Sequence, residues 1–474
     1  MRRIYDFVAI GGGSAGFNAA RIAASLGKKA AVIEGARKLG GLCILKGCMP
    51  SKTLIYTAEV LHLARSAAAL GLRIPQGSAD MRAVHARKRR LIAGFALDRA
   101  KHLKSGKFDL IRGHARFVDR NTVEIDRGRR VKARHFLIGT GSKVCVPPMP
   151  GLAGCSYWTS DDVLELDFKP RSVIVLGGGI VACELAQFLK RIGTRVCIVQ
   201  RGPSLLKEYS ADAARVIRQA FEDEGVEVHT GTQVTGVRTG RGGATVTFRK
   251  KGKTFRRRAD YILNALGREP DTSGLMLGAA GVRTAPNGRI ITNRWQQTSA
   301  PHIYAAGDCC GPHEIVHVAI QQAELAARHA AGLKRITPVS DAMLLGVVFT
   351  DPQLGSIGWR EEDLVKKRVK YLAASYPFND HGKSMLMNAN YGFVKVLAAA
   401  KSGRILGAEI VGRDAGELIH CFSGPMAMGA TVYDMLQAPW YHPTLSEIVT
   451  YPLEEIAEKL PARGRARPYR GLLH

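Results

Sequence analysis

Apolar and polar positions divide this chain into repeated short strands, glycine-rich breaks and amphipathic stretches. Ile4–Ile10 is apolar at nearly every position, the pattern of a strand buried on both faces of a parallel sheet. A Gly11-x-Gly13-Ser14-x-Gly16 loop follows, then a predicted helix over 17–26 and a strand over 29–33 that delivers Glu34 at its end. That is one strand–helix–strand unit. The plan recurs with a strand at Ser172–Leu176, a loop Gly177-Gly178-Gly179-Ile180-Val181-Ala182, a helix over 183–192 and a strand at Arg195–Val199. The repetition predicts two nucleotide-binding folds in one chain.

Three further apolar segments, 136–138, 261–265 and 302–306, end in glycine breaks carrying Gly141, Gly267 and Gly307-Asp308. The turn cluster Pro147-Pro148-Met149-Pro150-Gly151 marks a boundary between the repeated units. Beyond Pro338 the pattern changes. Alternating segments at 342–350, Tyr371–Pro377, 392–398 and 405–411 precede helical stretches near 416–429 and Val432–Leu436. This predicts an α+β unit with antiparallel strands.

Composition narrows the class. At 474 residues with 52 glycines the chain suits several packed α/β domains. No apolar run is long enough for a membrane span, and the N-terminus runs straight into a strand with no cleavage-site pattern. The formal charge of +29 is dispersed over clusters at 87–90, 127–134, 249–258, 366–370 and 463–470. It reads first as a solvated, generally basic surface, next as one suited to an acidic protein partner or anionic substrate, and last as a nucleic-acid surface, because the clusters are scattered and no recognition motif contains them. Nine cysteines without a secreted disulfide framework fit a cytoplasmic chain, and no metal-ligand constellation is assigned.

The chemistry concentrates in Gly40-Gly41-Leu42-Cys43-Ile44-Leu45-Lys46-Gly47-Cys48-Met49-Pro50-Ser51-Lys52. In a regular helix Cys43 and Cys48 would stand about 7.5 Å apart along the axis, too far for a disulfide. A bridge therefore requires a distorted turn, for which Gly47 and Pro50 are suited. A helix N-terminus beside the pair favours thiolate. In the first loop Gly11 allows the tight turn, Gly13 the approach of a pyrophosphate and Gly16 close helix packing, with Glu34 placed for a ribose hydroxyl. The second loop has Ala182 at its third small position, and its strand ends in Gln200-Arg201. Arg201 with Lys207 suits the 2′-phosphate of NADPH rather than the free ribose of NADH.

These motifs resemble the flavoprotein disulfide reductase family, which includes dihydrolipoamide dehydrogenase, glutathione reductase and mercuric ion reductase. The resemblance runs to about residue 460. It implies an FAD-binding domain at 1–148 and 273–337, an NAD(P)-binding domain at 149–272, a dimerisation domain at 338–460 and a basic tail at 461–474. It implies FAD in the first loop, Cys48 against the flavin and Cys43 as the thiol that meets substrate. Lys52 and Glu184 would be the ion pair near flavin N5, and Asp308 the ribityl ligand. His317 is either a flavin neighbour or a packing residue. In Tyr441-His442-Pro443-Thr444-Leu445-Ser446-Glu447, His442 matches the family's acid/base, oriented by Glu447 and serving the other subunit of a homodimer. Ile180, where glutathione reductases tend to carry a tyrosine lid, is closer to dihydrolipoamide dehydrogenase. No cysteine follows Cys421, which argues against efficient mercury reduction. The expected reaction passes electrons between NAD(P)H and a small disulfide or dithiol, the alternatives being an NADPH-dependent glutathione-type or metal-ion reductase and a flavoprotein that mainly binds a partner through its basic surface.

Overall fold

The computed structural model describes residues 4–126 and 128–461. The predicted basic tail lies almost wholly outside the described residues, as does Arg127 of one charge cluster.

The first unit is built on β1 (Ile4–Ile10), β2 (Ala30–Glu34), β3 (Asp109–Arg112), β4 (Ala115–Asp119), β5 (Thr122–Ile125) and β6 (Arg129–Ile138), in the order β3-β2-β1-β6-β5-β4. β1 is parallel to both β2 and β6, and Ile303–Ala305 returns late in the chain to pair in parallel with β6. Chain ends of several strands therefore converge on one edge, where the Gly11 loop, Gly139–Gly141 and Gly307-Asp308 meet. The apolar side chains of β1 and β2 divide between two cores, one on each face of the sheet. That division explains their unbroken hydrophobicity.

Helix α1 (Ser14–Ser25) starts three residues before the predicted boundary, because Gly13 is already its N-cap. Gly16 thus lies inside the first turn, where a Cβ would stand 1.8 Å from the carbonyl oxygen of Gly11. The helix after the second loop, Ile180–Arg191, is likewise longer than the predicted 183–192 at its start. Ala182 is fully buried within it.

Two helices then carry the sulfur run. α2 (Gly41–Lys46) ends at Gly47, whose backbone (φ −130°, ψ −118°) breaks the helical path, and α3 (Cys48–Ser66) begins at once. A long helix without a sequence counterpart, α4 (Met81–Leu103), packs on both. Asp80 caps it by accepting from the backbone N–H groups of Arg82 and Ala83.

The second unit has a four-stranded parallel sheet in the order Glu227–His229, Arg195–Val199, Ser172–Leu176, Tyr261–Asn264. A three-stranded antiparallel sheet (Gln233–Gly240, Gly243–Lys250, Lys253–Ala259) covers one face. The C-terminal unit is a five-stranded antiparallel sheet, Leu345–Val348, Gln353–Gly358, Ile405–Gly412, Phe393–Ala399, Tyr371–Pro377. Its helices pack against that sheet through Phe378, Phe422 and Leu453. The predicted helix over 416–429 is two pieces, Ala415–Leu418 and His420–Ala427.

Candidate active site

A trough without side chains runs along the ends of the first sheet. Gly11 has φ +102°, and a Cβ there would lie 2.5 Å from the carbonyl oxygen of Gly139. Gly41 has φ +72°, and its Cβ would lie 2.6 Å from the Cα of Gly13, so the two backbones touch. Helix α1 opens there with no side-chain cap, leaving its first N–H groups for a ligand. Glu34 is buried and accepts from the N–H groups of Gly12 (2.8 Å) and Ala36 (2.7 Å). Around the trough, Thr140 Oγ1 and His317 Nε2 are buried without a hydrogen-bond partner. Burial, helped by the nearby His420, pushes the His317 imidazole down. An uncapped helix, a glycine-lined floor and orphaned polar atoms are what a dinucleotide requires, and the residues fit FAD.

Asp308 closes one side. Its carboxylate accepts from Ser142 Oγ at 2.6 Å, and Arg268 donates to Ser142 Oγ at 2.7 Å and to Ser142 O at 2.8 Å. Gly141, Gly267 and Gly307 bring these residues together, with positive φ at all three. Ser142 and Arg268 were not singled out in the sequence. Each directly follows a singled-out glycine, and that adjacency was the available signal.

The sulfur pair sits where α2 gives way to α3. A Cβ on Gly47 would meet the Cα of Cys43 and the carbonyl oxygen of Leu42 at 3.1 Å, so a side chain at the sharp break would be crowded. Both sulfurs are thiols here and half-buried. The Cys43 thiol donates to Cys48, which with burial holds Cys43 well above the ordinary cysteine range. The same hydrogen bond, helped by the charge of Lys52, brings Cys48 down to about 7 against the opposing effect of burial.

Lys52, one turn along α3, reaches Glu184 Oε2 at 2.7 Å. Glu184 is 4% exposed, and its other oxygen accepts from the N–H of Phe349 at 2.9 Å. The Lys52 ammonium also lies 4.8 Å from the centre of the Phe349 ring. Lys52, Glu184, Gln187, Arg191, Phe349 and Asp351 all border a cavity of about 200 Å³ at this junction of all three units. Phe349 belongs to a stretch singled out for the C-terminal interface, not for the site.

His442 and Glu447 form a separate group. His442 Nδ1 lies 3.0 Å from both oxygens of Glu447. The His442 side chain is 76% exposed while Glu447 is buried. Among the described residues, no hydrogen bond or ion pair links His442 to Cys43, Cys48 or Lys52.

The model for pyridine nucleotide-disulphide oxidoreductases matches residues 5–323, and the one for their dimerisation domain matches 345–452. The chain belongs to the pyridine nucleotide-disulphide oxidoreductase family. It is 34% identical over 452 residues to the dihydrolipoyl dehydrogenase of Thermus scotoductus, covering 94% of this chain and 96% of that protein. It is 31% identical over 444 residues to the mercuric reductase of Staphylococcus aureus, covering 94% and 81%. The solved structure of LpdA from Mycobacterium tuberculosis superposes with a TM-score of 0.85 at 27% identity, over 95% of this chain and 99% of that one. The flavoprotein disulfide reductase RclA of Escherichia coli shares the fold, with a TM-score of 0.83 at 24% identity over 96% and 99%.

As a family member the chain is an FAD-dependent oxidoreductase that works with a nicotinamide dinucleotide, and it carries the dimerisation domain of that family. In this oxidoreductase the second glycine loop is again an uncapped helix start, with Gly179 as N-cap. Gly177 has φ +117°, with a would-be Cβ 2.3 Å from the carbonyl oxygen of Ala265, while Gly179 and Gly267 face open space. Arg201 is exposed with no hydrogen bond or ion pair among the described residues, and Lys207 is exposed 3.9 Å from Glu208. No helix among the described residues is long and apolar enough to cross a membrane. Cys197, Glu227 and His229 bring possible metal-binding atoms within 4.8 Å of one another. Arg257 Nε, 2.7 Å from Glu227, already supplies a cation there, and burial pushes the Cys197 thiol up to about 12.

Proposed function

We propose that this oxidoreductase works as a homodimer on a small disulfide or dithiol, in the manner of a dihydrolipoamide dehydrogenase, and prefers NADPH. The observation that carries this reading is the sulfur pair on two helices, with Cys48 near neutrality beside the Lys52–Glu184 ion pair. FAD would be held by Gly11, Gly13, Ser14, Gly16, Glu34, Gly41, Gly141, Gly307, Asp308 and His317, and would supply two-electron exchange between nicotinamide and sulfur. Gly177, Gly179 and Gly267 would hold the nicotinamide dinucleotide, with Arg201 and Lys207 at its 2′-phosphate.

Cys43 meets substrate. His442 takes the Cys43 proton, the resulting thiolate attacks one sulfur of the substrate disulfide to form a mixed disulfide, and His442 returns the proton to the thiolate released. Cys48 then attacks Cys43 Sγ, the second substrate thiolate leaves, and the Cys43–Cys48 bond closes. Lys52 places positive charge beside Cys48, and Glu184 fixes the ammonium in position. Glu447 orients His442, whose exposure in the single chain fits service to a second subunit. The dispersed +29 charge supports an anionic substrate.

The deciding experiment is anaerobic reduction of the FAD-loaded dimer by NADPH, followed by turnover with lipoamide, glutathione disulfide and mercuric ion. The reading expects a thiolate-to-flavin absorbance band that Cys48→Ser abolishes, and disulfide turnover that Cys43→Ser abolishes. Disulfide turnover undiminished in Cys43→Ser would overturn it.

A further inference from the structure

Glu447 has a second histidine on it. His381, in the segment between Tyr371–Pro377 and Gly382–Leu386, is 0% exposed. Its Nδ1 lies 2.8 Å from Ser384 Oγ, and its Nε2 faces Glu447 Oε1 at 3.4 Å. At that distance Nε2 has no short hydrogen bond, and it is buried with no other partner. Of the two neutral tautomers, a proton on Nδ1 would leave the Nε2 lone pair buried against a carboxylate oxygen. A proton on Nε2 turns an N–H towards that oxygen and lets the Ser384 hydroxyl donate to Nδ1. The second arrangement turns a donor rather than a lone pair toward the carboxylate and keeps the Ser384 hydrogen bond, so the network favours it.

We propose that His381 is a positioning residue for the acid/base pair. Its Nε2–H draws on Oε1 of the Glu447 carboxylate, an oxygen that His442 also contacts, fixing that carboxylate and dividing its charge between two imidazoles. The inference rests on the proposed role of His442 as the proton carrier. Burial pushes the His381 imidazole down, as does the neighbouring His442, while Glu447 pulls the other way. The other groups packed here leave this assignment intact. Tyr451 presents its ring edge-on at 6.1 Å and stacks on Tyr376. The Tyr376 hydroxyl donates to Asp380, and burial pushes that phenol up to about 12.

Two consequences follow from the charge division. A carboxylate relieved of one donor is a stronger acceptor for the other, so removing His381 stabilises the protonated form of His442 and raises the pH at which it releases its proton. Glutamine in place of histidine sets an amide N–H near the former Nε2 and preserves the division. A residue that merely fills space has no such effect.

The test is the pH dependence of Cys43 alkylation by iodoacetamide in the two-electron-reduced, FAD-loaded dimer, from about pH 5 to about pH 9. His442→Ala should remove the limb assigned to His442. His381→Leu should move that limb up by about half a pH unit or more, and His381→Gln should return it. A His381→Leu dimer with an unmoved limb overturns the inference, as does a glutamine variant that behaves like leucine. If His442→Ala leaves the profile intact, the underlying role of His442 fails and the inference falls with it. Should His381→Leu not assemble, Ser384→Ala, which frees the tautomer, carries the test. It should move the limb upward by less, and an unmoved limb there also overturns the inference.

Discussion

The ammonium of Lys52 and the carboxylate of Glu184 meet at 2.7 Å across the boundary between the first and second units. Glu184 is nearly out of solvent, and Phe349 of the C-terminal unit donates to its free oxygen. One ion pair thus fastens three parts of the chain. Removing the cation leaves a buried charge with a single neutral donor. Lys52→Ala should destabilise the fold by about 1–3 kcal/mol, because Lys52 is itself partly exposed and the Phe349 N–H remains. Glu184→Gln should cost less, since its single amide oxygen keeps one of the two donors, no buried charge is left unpaired, and the partly exposed Lys52 can turn to solvent. Urea unfolding of the two variants checks the order; equal losses would refute it.

The two thiols should titrate far apart in the reduced protein. Cys48 releases its proton near pH 7, and the first cause is the hydrogen bond from Cys43. Because this value lies below that of an unfolded cysteine, the associated stability is present above the unfolded value and lost as pH falls through about 7. Cys43→Ala should return the Cys48 titration towards the ordinary range, and Lys52→Met should do so by less. The pH dependence of thiolate absorbance measures both, and a Cys43→Ala protein still titrating near neutrality would contradict the assignment.

Cofactor choice should reside in Arg201. A carboxylate at this strand end repels a 2′-phosphate and accepts from a ribose hydroxyl. Arg201→Glu should lower kcat/KM for NADPH relative to NADH by about tenfold or more, the effect of one charge-assisted pair. Steady-state kinetics with both nucleotides measures it. An unchanged ratio, or a parent protein that uses NADH at least as well, would show that Arg201 is only an exposed basic residue.

Gly16 should tolerate no side chain. Its Cβ would overlap the Gly11 carbonyl, a backbone atom that cannot rotate away. Gly16→Ala should therefore lower the flavin bound per chain far more than Gly179→Ala, which faces open space, lowers it. The absorbance ratio of flavin to protein after reconstitution separates the two, and equal flavin content would dismiss the packing argument.

Short-range patterns carried much of this architecture in the sequence. The strands Ser172–Leu176 and Arg195–Val199 occur with their expected bounds because an unbroken apolar run between glycine turns has few other solutions. Helix starts were set too late because the glycines of each loop were read as loop, whereas Gly13 and Gly179 act as caps. Helix α4 has no clear signature in the sequence. Its polar faces are laced with arginine and lysine, its apolar stripe is weak, and the Asp80 cap was the remaining cue. Long-range partners were the least legible. Ser142–Asp308 and His381–Glu447 join residues far apart in sequence, and no local pattern encodes such a meeting.

An exposed histidine over a buried carboxylate has a consequence for inheritance as well as chemistry. On the proposed arrangement each chain lends its imidazole and borrows its neighbour's, so two defective alleles need not give a defective enzyme. A chain with Cys43→Ser and one with His442→Ala, each inert alone, would on co-assembly rebuild one whole centre from their sound halves. Complementation between two null genes would then be the visible trace of where a single side chain points.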